Sequence, residues 1–226
     1  MADSVAYTKD TLYRGRLSLE QPAHGYRFSV DAPLLARFAA YGGPYEHAVD
    51  LGAGCGAVGL SLAIMGAALR VTGVEIQPDL CEAFRRNVAG NGLSGRVEVV
   101  EEDLRRLDAA LLPGSADLVV SNPPYFRAGS GPLNPNRALA LARHEIACQL
   151  DDVVRVARRL VSAGGRIALI LPADRLADAM ARLEAHGMAA NRLRMVHSHT
   201  NARPERALLS AQPGGGALDL EVEPPL

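Results

Sequence analysis

The 226-residue chain has one lysine, Lys9, no cysteine pair at redox or metal-ligand spacing, and no long apolar run. Its longest uninterrupted apolar stretch, residues 167–171, is far shorter than the ~20 residues that a bilayer span needs, so no membrane partner is expected. Cys55, Cys81 and Cys148 are odd in number and far apart, which argues against a disulfide framework or a zinc site and suits a reducing compartment. The opening Met1-Ala-Asp-Ser lacks the basic and apolar regions of a leader peptide, and the chain reads as cytoplasmic. What is present is ordinary for a folded domain: 48% hydrophobic and 22% charged residues. The length suits one α/β domain that buries roughly 70% of its unfolded surface.

The net charge of −1 hides a division along the chain. Residues 1–121 carry 11 basic and 15 acidic side chains, residues 122–206 carry 13 and 7, and residues 207–226 carry 0 and 3. All the basic side chains except Lys9 are arginine, which combines bidentate phosphate binding with stacking on bases. The same bias arises from a GC-rich coding sequence, so alone it names no partner.

Short β-rich runs alternate with stretches of helical period, the pattern of a parallel sheet covered by helices on both faces. Seven strands are predicted, at 47–51, 69–76, 97–101, 117–121, 166–171, 193–197 and 207–211. Helices are predicted at 57–65, 78–89, 150–161 and 174–186, the last closed by Gly187. The last two strands are joined by too few residues for a parallel crossover, so they read as an antiparallel C-terminal hairpin. Asp31 is positioned to cap a helix with Pro33 in its first turn. One domain over 1–226 follows, with an N-terminal extension to residue 45, a core over 46–211 and a tail from 212. Residues 126–136 are a run of turn formers that reads as a mobile loop, either a binding lid or a plain linker.

After the first predicted strand the chain reads Asp50-Leu51-Gly52-Ala53-Gly54-Cys55-Gly56-Ala57-Val58-Gly59. Gly54 to Gly59 satisfy G-x-G-x-x-G, and Glu75 follows Gly54 by 21 residues, as in a dinucleotide site. The same loop resembles the S-adenosylmethionine loop of class I methyltransferases, with an acid at the strand end and glycines at 52, 54 and 56. Asp50 favours the second pattern, because a pyrophosphate is repelled by a neighbouring carboxylate whereas a sulfonium or ammonium group is attracted. Glu75 would accept ribose hydroxyls from either cofactor, with Ile76 beside it. Asp103 and Leu104, after the third strand, would meet the cofactor's adenine in the methyltransferase pattern; an Asp there is also a common helix cap.

Ser121-Asn122-Pro123-Pro124-Tyr125 follows the fourth strand and is the most specific feature of the chain. The two prolines hold the backbone extended. The Asn122 side-chain oxygen and the Pro123 carbonyl would then accept both N–H bonds of a planar amine, and Tyr125 would stack on its ring.

Asn122-Pro-Pro-Tyr125 resembles the signature of amino methyltransferases that act on adenine in nucleic acids or on glutamine in release factors. Tyr26, Arg27 and Phe28 within Gly25–Asp31, Arg143 within Ala142–Glu145, and Pro172-Ala-Asp-Arg-Leu176 narrow the resemblance to the bacterial methyltransferases of the adenine beside the anticodon of valine tRNA. That resemblance implies a Rossmann-like class I methyltransferase fold, S-adenosylmethionine as cofactor, and the tRNA anticodon stem-loop as partner. It gives Asn122, Pro123, Pro124 and Tyr125 to catalysis. Asp50, Gly52, Gly54, Gly56, Glu75, Ile76, Asp103 and Leu104 go to the cofactor, and Tyr26, Arg27, Phe28, Arg137 and Arg143 to the substrate. Two alternatives stand beside it: a protein glutamine methyltransferase, whose usual helical substrate domain has little room in the 49 residues before Asp50, and a nicotinamide oxidoreductase, which gives Asn122–Tyr125 no task.

Overall fold

The computed structural model describes residues 6–23, 27–109, 111–123, 149–214 and 219–226. An N-terminal hairpin, β1 (Tyr7–Leu12) and β2 (Leu17–Pro22), precedes helix α1 (Asp31–Ala39). The α/β alternation then runs β3 (Tyr45–Leu51), α2 (Ala57–Ile64), β4 (Ala68–Glu75), α3 (Pro78–Gly90), β5 (Val97–Glu101), a 3-10 turn (Leu104–Ala109) and β6 (Ala116–Ser121). After the segment 124–148 come α4 (Leu150–Leu160), β7 (Val161–Pro172), α5 (Leu176–Ala185), β8 (Met188–His197), β9 (Pro204–Pro213) and β10 (Glu221–Val222).

The main sheet has the order β10-β8-β9-β7-β6-β3-β4-β5, and only β9 runs antiparallel to its neighbours. All seven predicted strands are present, and the antiparallel C-terminal hairpin is β8 and β9. The chain moves outward from β3 in both directions, so β3 and β6 form the topological switch point whose carboxyl ends bind ligands in such sheets.

Both faces of the sheet are covered, which is why its strands read as short apolar runs. Ala48, Leu118, Ala168 and Ile170 face the layer formed by α1, α2 and α3, with Leu35, Phe38, Leu60 and Phe84. Val49, Val119, Ile167 and Leu169 face the other side, with Val153, Ala157 and Leu160 of α4 and Leu183 of α5. The one-residue alternation between the two sets is the strand pleat itself.

Three features depart from the sequence reading. The extension carries a hairpin that was not expected, with Tyr13 and Arg14 in left-handed conformations at its turn. Its outer edge pairs with side chains of α3 and its C-cap: Asn91, the cap, accepts from the Ser18 N–H at 2.9 Å and donates to the Ser18 carbonyl at 2.7 Å, and Asn87 treats Glu20 in the same way at 2.6 and 2.8 Å. Those carboxamides satisfy an edge that would otherwise lie open.

Asp31 does not cap α1, since Val30 holds the cap position. Its buried carboxylate instead accepts Nε of Arg206 at 3.1 Å, from the start of β9. A distant cation outcompetes the local amide for that carboxylate, because a charge-assisted pair is the stronger bond.

The sheet also has an eighth strand within the segment read as a tail. Glu221–Val222 pair with β8, the Glu223 carboxylate meets Arg192 and Arg194, and the Leu226 carbonyl accepts the His197 N–H at 2.8 Å. Arg192 is itself held between the rings of Phe38 and Tyr41, 4.0 and 4.3 Å from their centroids.

Candidate active site

The turn after β3 is stitched to β4 before any ligand is considered. The N–H groups of Gly52 and Ala53 both donate to the Val74 carbonyl at 2.9 Å. Gly52, Gly54 and Gly56 all have positive φ, at 73°, 58° and 88°, a region that side chains with a Cβ rarely adopt. The glycines nevertheless do different work. A Cβ on Gly52 would meet nothing within 4 Å, so the backbone there is open to an approaching molecule. A Cβ on Gly56 would lie 2.2 Å from the Phe84 ring, and one on Gly73 would lie 2.1 Å from it. Gly56 therefore admits an aromatic ring of α3 that wedges the loop against β4.

Two buried carboxylates flank the loop. Asp50 Oδ2 accepts the Gly59 N–H at 2.9 Å, the third residue of α2, and so caps that helix from the neighbouring strand end. Burial pushes the Asp50 carboxyl up to about 7; the Gly59 bond opposes the shift and the charge of Glu75 adds to it. Glu75, at the end of β4, accepts the Gly54 N–H with Oε2 and the N–H groups of Ile76 and Gln77 with Oε1, all at 2.9 Å.

Asp103 and Leu104 lie beyond β5. The Arg105 fork closes on the Asp103 carboxylate at 2.6 to 3.0 Å and holds it below the usual carboxylate range, while the Arg105 N–H bonds Oδ1 at 3.0 Å. Asp103 thus starts the 3-10 turn, as a cap does, and Leu104 packs in the core.

At the end of β6 the Ser121 hydroxyl donates to the Leu51 carbonyl at 2.7 Å, so the ends of β6 and β3 advance together. Asn122 consequently lines one narrow cleft with Asp50, Gly52, Ala53, Val58 and Phe28. Pro123, the next residue, is buried. Arg27 donates to Thr8 at 2.6 Å and to Asp10 at 3.1 Å on the hairpin. Tyr26, Pro124, Tyr125, Arg137, Arg143, Cys148 and the loop 126–136 lie outside the described residues.

Sequence reasoning missed Gln21, Phe84 and Asn87, which hold the loop and Phe28 in place. The signals were a polar residue in an inward row of β2 and a carboxamide amid apolar helix positions. A larger cleft, lined by His47, Arg70, Thr72 and Ser115, opens at the opposite edge of the sheet and carries none of the predicted site residues. Among the described residues no group of His, Cys, Asp and Glu is arranged to hold a metal, and no helix is long and apolar enough to cross a membrane. Burial pushes the thiols of Cys55 and Cys81 up to about 12, so neither is a ready nucleophile.

Among the described residues, an eight-stranded α/β sheet in which only β9 is antiparallel to its neighbours, with a glycine turn after its central strand, is the fold of a class I methyltransferase. The family described as Methyltransferase small domain matches residues 32–186. The tRNA1(Val) (adenine(37)-N6)-methyltransferase of Porphyromonas gingivalis is 34% identical over 211 residues, which span 90% of this chain and 81% of that one. A crystal structure of a predicted O-methyltransferase from Agrobacterium tumefaciens superposes with a TM-score of 0.69 at 27% identity, covering 87% of this chain and 86% of that one. M. jannaschii TYW2 in complex with AdoMet shares the fold at a TM-score of 0.59 and 16% identity, covering 93% of this chain and 87% of that one. The chain belongs to the methyltransferase small domain family and, within it, to the tRNA1(Val) (adenine(37)-N6)-methyltransferases.

Proposed function

We propose that this protein transfers the methyl group of S-adenosylmethionine to the exocyclic amine of an adenine in the anticodon stem-loop of tRNA, adenine 37 of tRNA1(Val) as its relatives are named, in the cytoplasm. The observation that carries the reading is the sharing of one cleft by Asn122, Asp50 and Gly52. A methyl-donor pocket and an amine acceptor must meet within a few ångströms for in-line transfer.

The residues fit the cofactor on their own chemistry. Open space over Gly52 admits a ligand backbone, and a buried carboxyl with its pKa raised to about 7 at Asp50 ionises readily beside a cation. Gly54 and Gly56 would shape the loop around the methionine end. Oε2 of Glu75 holds one backbone donor, which leaves acceptor capacity for a ribose hydroxyl, with Ile76 beside it. Asp103 and Leu104 would border the cofactor's adenine, the Asp103 carboxylate sharing itself with Arg105. S-adenosylmethionine, when bound, supplies a methyl on a positively charged sulfur, so transfer forms a C–N bond, breaks the C–S bond and yields S-adenosylhomocysteine.

The exocyclic amine is a poor nucleophile because its lone pair is delocalised into the ring. Asn122 Oδ1 and the Pro123 carbonyl would accept its two N–H bonds and turn the lone pair towards the methyl. One of those protons then leaves to solvent, so no histidine base is required. Pro124 would keep the turn extended, and Tyr125 and Phe28 would flank the flipped ring. Tyr26 and Arg27 would border the same pocket, and Arg137 and Arg143 would face phosphates. The cationic excess of residues 122–206 suits that polyanion.

The test is incubation with tritiated-methyl S-adenosylmethionine and, in parallel, undermodified total tRNA or a release factor, followed by nucleoside digestion. Label in N6-methyladenosine from valine tRNA is the expected result. Label in the release factor would overturn the substrate, and label in neither would overturn the activity.

A further inference from the structure

The inward row of β2 is Leu17, Leu19 and Gln21, exposed by 0%, 0% and 2%. Two leucines obey the period-2 rule and the third position breaks it, although burying a carboxamide is costly unless both its ends are bonded. Both ends are bonded, and both bonds lead towards the cleft. Gln21 Nε2 donates to Asp10 Oδ2 at 2.6 Å, and Gln21 Oε1 accepts the Phe28 N–H at 3.1 Å. Asp10 Oδ2 also receives Arg27 Nη2 at 3.1 Å, and Arg27 Nη1 reaches Thr8 Oγ1 at 2.6 Å. The backbone at 27–28 is therefore pinned to the hairpin from two sides, and Phe28 lines the same cleft as Asn122.

The hairpin is fixed to the cofactor loop by a second carboxamide. Asn87 Nδ2 donates to the Glu20 carbonyl at 2.8 Å and to the Cys55 carbonyl at 2.9 Å, while its Oδ1 accepts the Glu20 N–H at 2.6 Å. Gln21 is the next residue along β2. An unbroken series of bonds thus runs from the glycine loop through Asn87 and β2 to Gln21 and the Phe28 amide.

We propose that Gln21 is a positioning residue for the substrate: it acts through the Phe28 amide, and the hairpin serves as the jig that sets Phe28 at a fixed distance from the glycine loop and Asn122. The inference rests on the proposed adenine methylation, in which Phe28 flanks the accepting ring. An apolar side chain would fill the inward row equally well, so packing alone gives no reason for an amide there. The reason is the acceptor for Phe28.

Gln21→Leu separates these roles, because leucine continues the row of Leu17 and Leu19 but accepts no hydrogen bond. The variant is expected to keep its Tm within about 4 °C of wild type and its S-adenosylmethionine Kd within about twofold. Its kcat/KM on tRNA should fall at least ~10-fold, the scale set by misplacing a positioning group. Phe28→Ala should lose as much, and the double variant no more than Phe28→Ala alone, since the two act as one unit. Amide hydrogen exchange at Phe28 should accelerate at least ~10-fold while the amides of Leu17 and Leu19 keep their rates. An active Gln21→Leu enzyme, multiplicative losses in the double variant, or unaltered exchange at Phe28 would each overturn the role of Gln21. A wild-type protein inactive on tRNA would instead overturn the substrate reading and the role of Gln21 together.

Discussion

Glu75 Oε2 accepts the Gly54 N–H at 2.9 Å, across 21 residues of sequence, and so joins the end of β4 to the middle of the glycine loop. The other oxygen is held by the amides of Ile76 and Gln77. One side chain therefore shapes the loop and, in the proposed reading, would also present the ribose acceptor. Replacing it with alanine should weaken S-adenosylmethionine binding by ~1–3 kcal/mol, the cost of lost charged hydrogen bonds. Isothermal titration of Glu75→Ala is the check, and an unaltered Kd would remove Glu75 from the site. Glu75→Gln should also bind weakly, because its amide nitrogen or oxygen must fail one of the two backbone donor sets.

In the proposed reading Asn122 Oδ1 accepts from the substrate amine and not from the cofactor, so its loss should separate the two steps. Asn122→Ala is expected to keep the S-adenosylmethionine Kd within about twofold while turnover falls at least ~100-fold. Single-turnover assays on tRNA measure the second quantity; an active variant would sink the assignment.

Asp50 makes stability and binding depend on pH with opposite sign. Its carboxyl, raised from 3.8 to about 7 by burial, holds a proton in the folded protein that the unfolded chain has already released. Between those values the folded state binds more protons, so this residue's contribution to stability falls as pH rises, and is lost as pH passes about 7. Asp50→Asn should remain acceptor to the Gly59 N–H and exceed wild type in Tm by a margin that widens from about pH 5 to about pH 8. A cationic ligand favours the ionised carboxylate, so binding near pH 6.5, roughly half a unit below the folded pKa, should release a proton from wild type and none from Asp50→Asn. Calorimetry in buffers of different ionisation enthalpy counts that proton.

Gly52 of the loop and Gly73 of β4 should respond unequally. Gly73→Ala places a Cβ 2.1 Å from the fully buried Phe84 ring, and overpacking of this kind costs about 1–3 kcal/mol or more. Thermal unfolding should show it. Gly52→Ala has open room and meets only the strain of its φ of 73°, so the fold should survive while cofactor affinity drops. Equal effects on Tm would contradict the different roles given to the two positions.

Activity on tRNA should decline steeply with salt, because arginine contacts to phosphate release counterions. A log–log plot of kcat/KM against monovalent salt should have a negative slope of several units. A flat plot would point away from a nucleic-acid substrate.

The sequence by itself determined the central sheet, because strands covered on both faces must be short apolar runs and their order of appearance follows from the helices between them. It also determined the glycine loop, since positive φ is a local property of a few adjacent residues. Tertiary structure decided what distant groups do to one another. The N-terminal hairpin is half polar by sequence and was invisible there, since it is stabilised by Asn87 and Asn91, 67 and 73 residues away. The eighth strand has two residues and is held by Glu223 against Arg192 and Arg194, which no periodicity reports. Asp31 read as a cap until Arg206 lay within reach, and the need for a glycine at 56 beside the Phe84 ring shows only in the fold. Local backbone preference is written in neighbouring residues, whereas the partner of a buried charge, amide or ring is chosen only when the chain has folded back on itself.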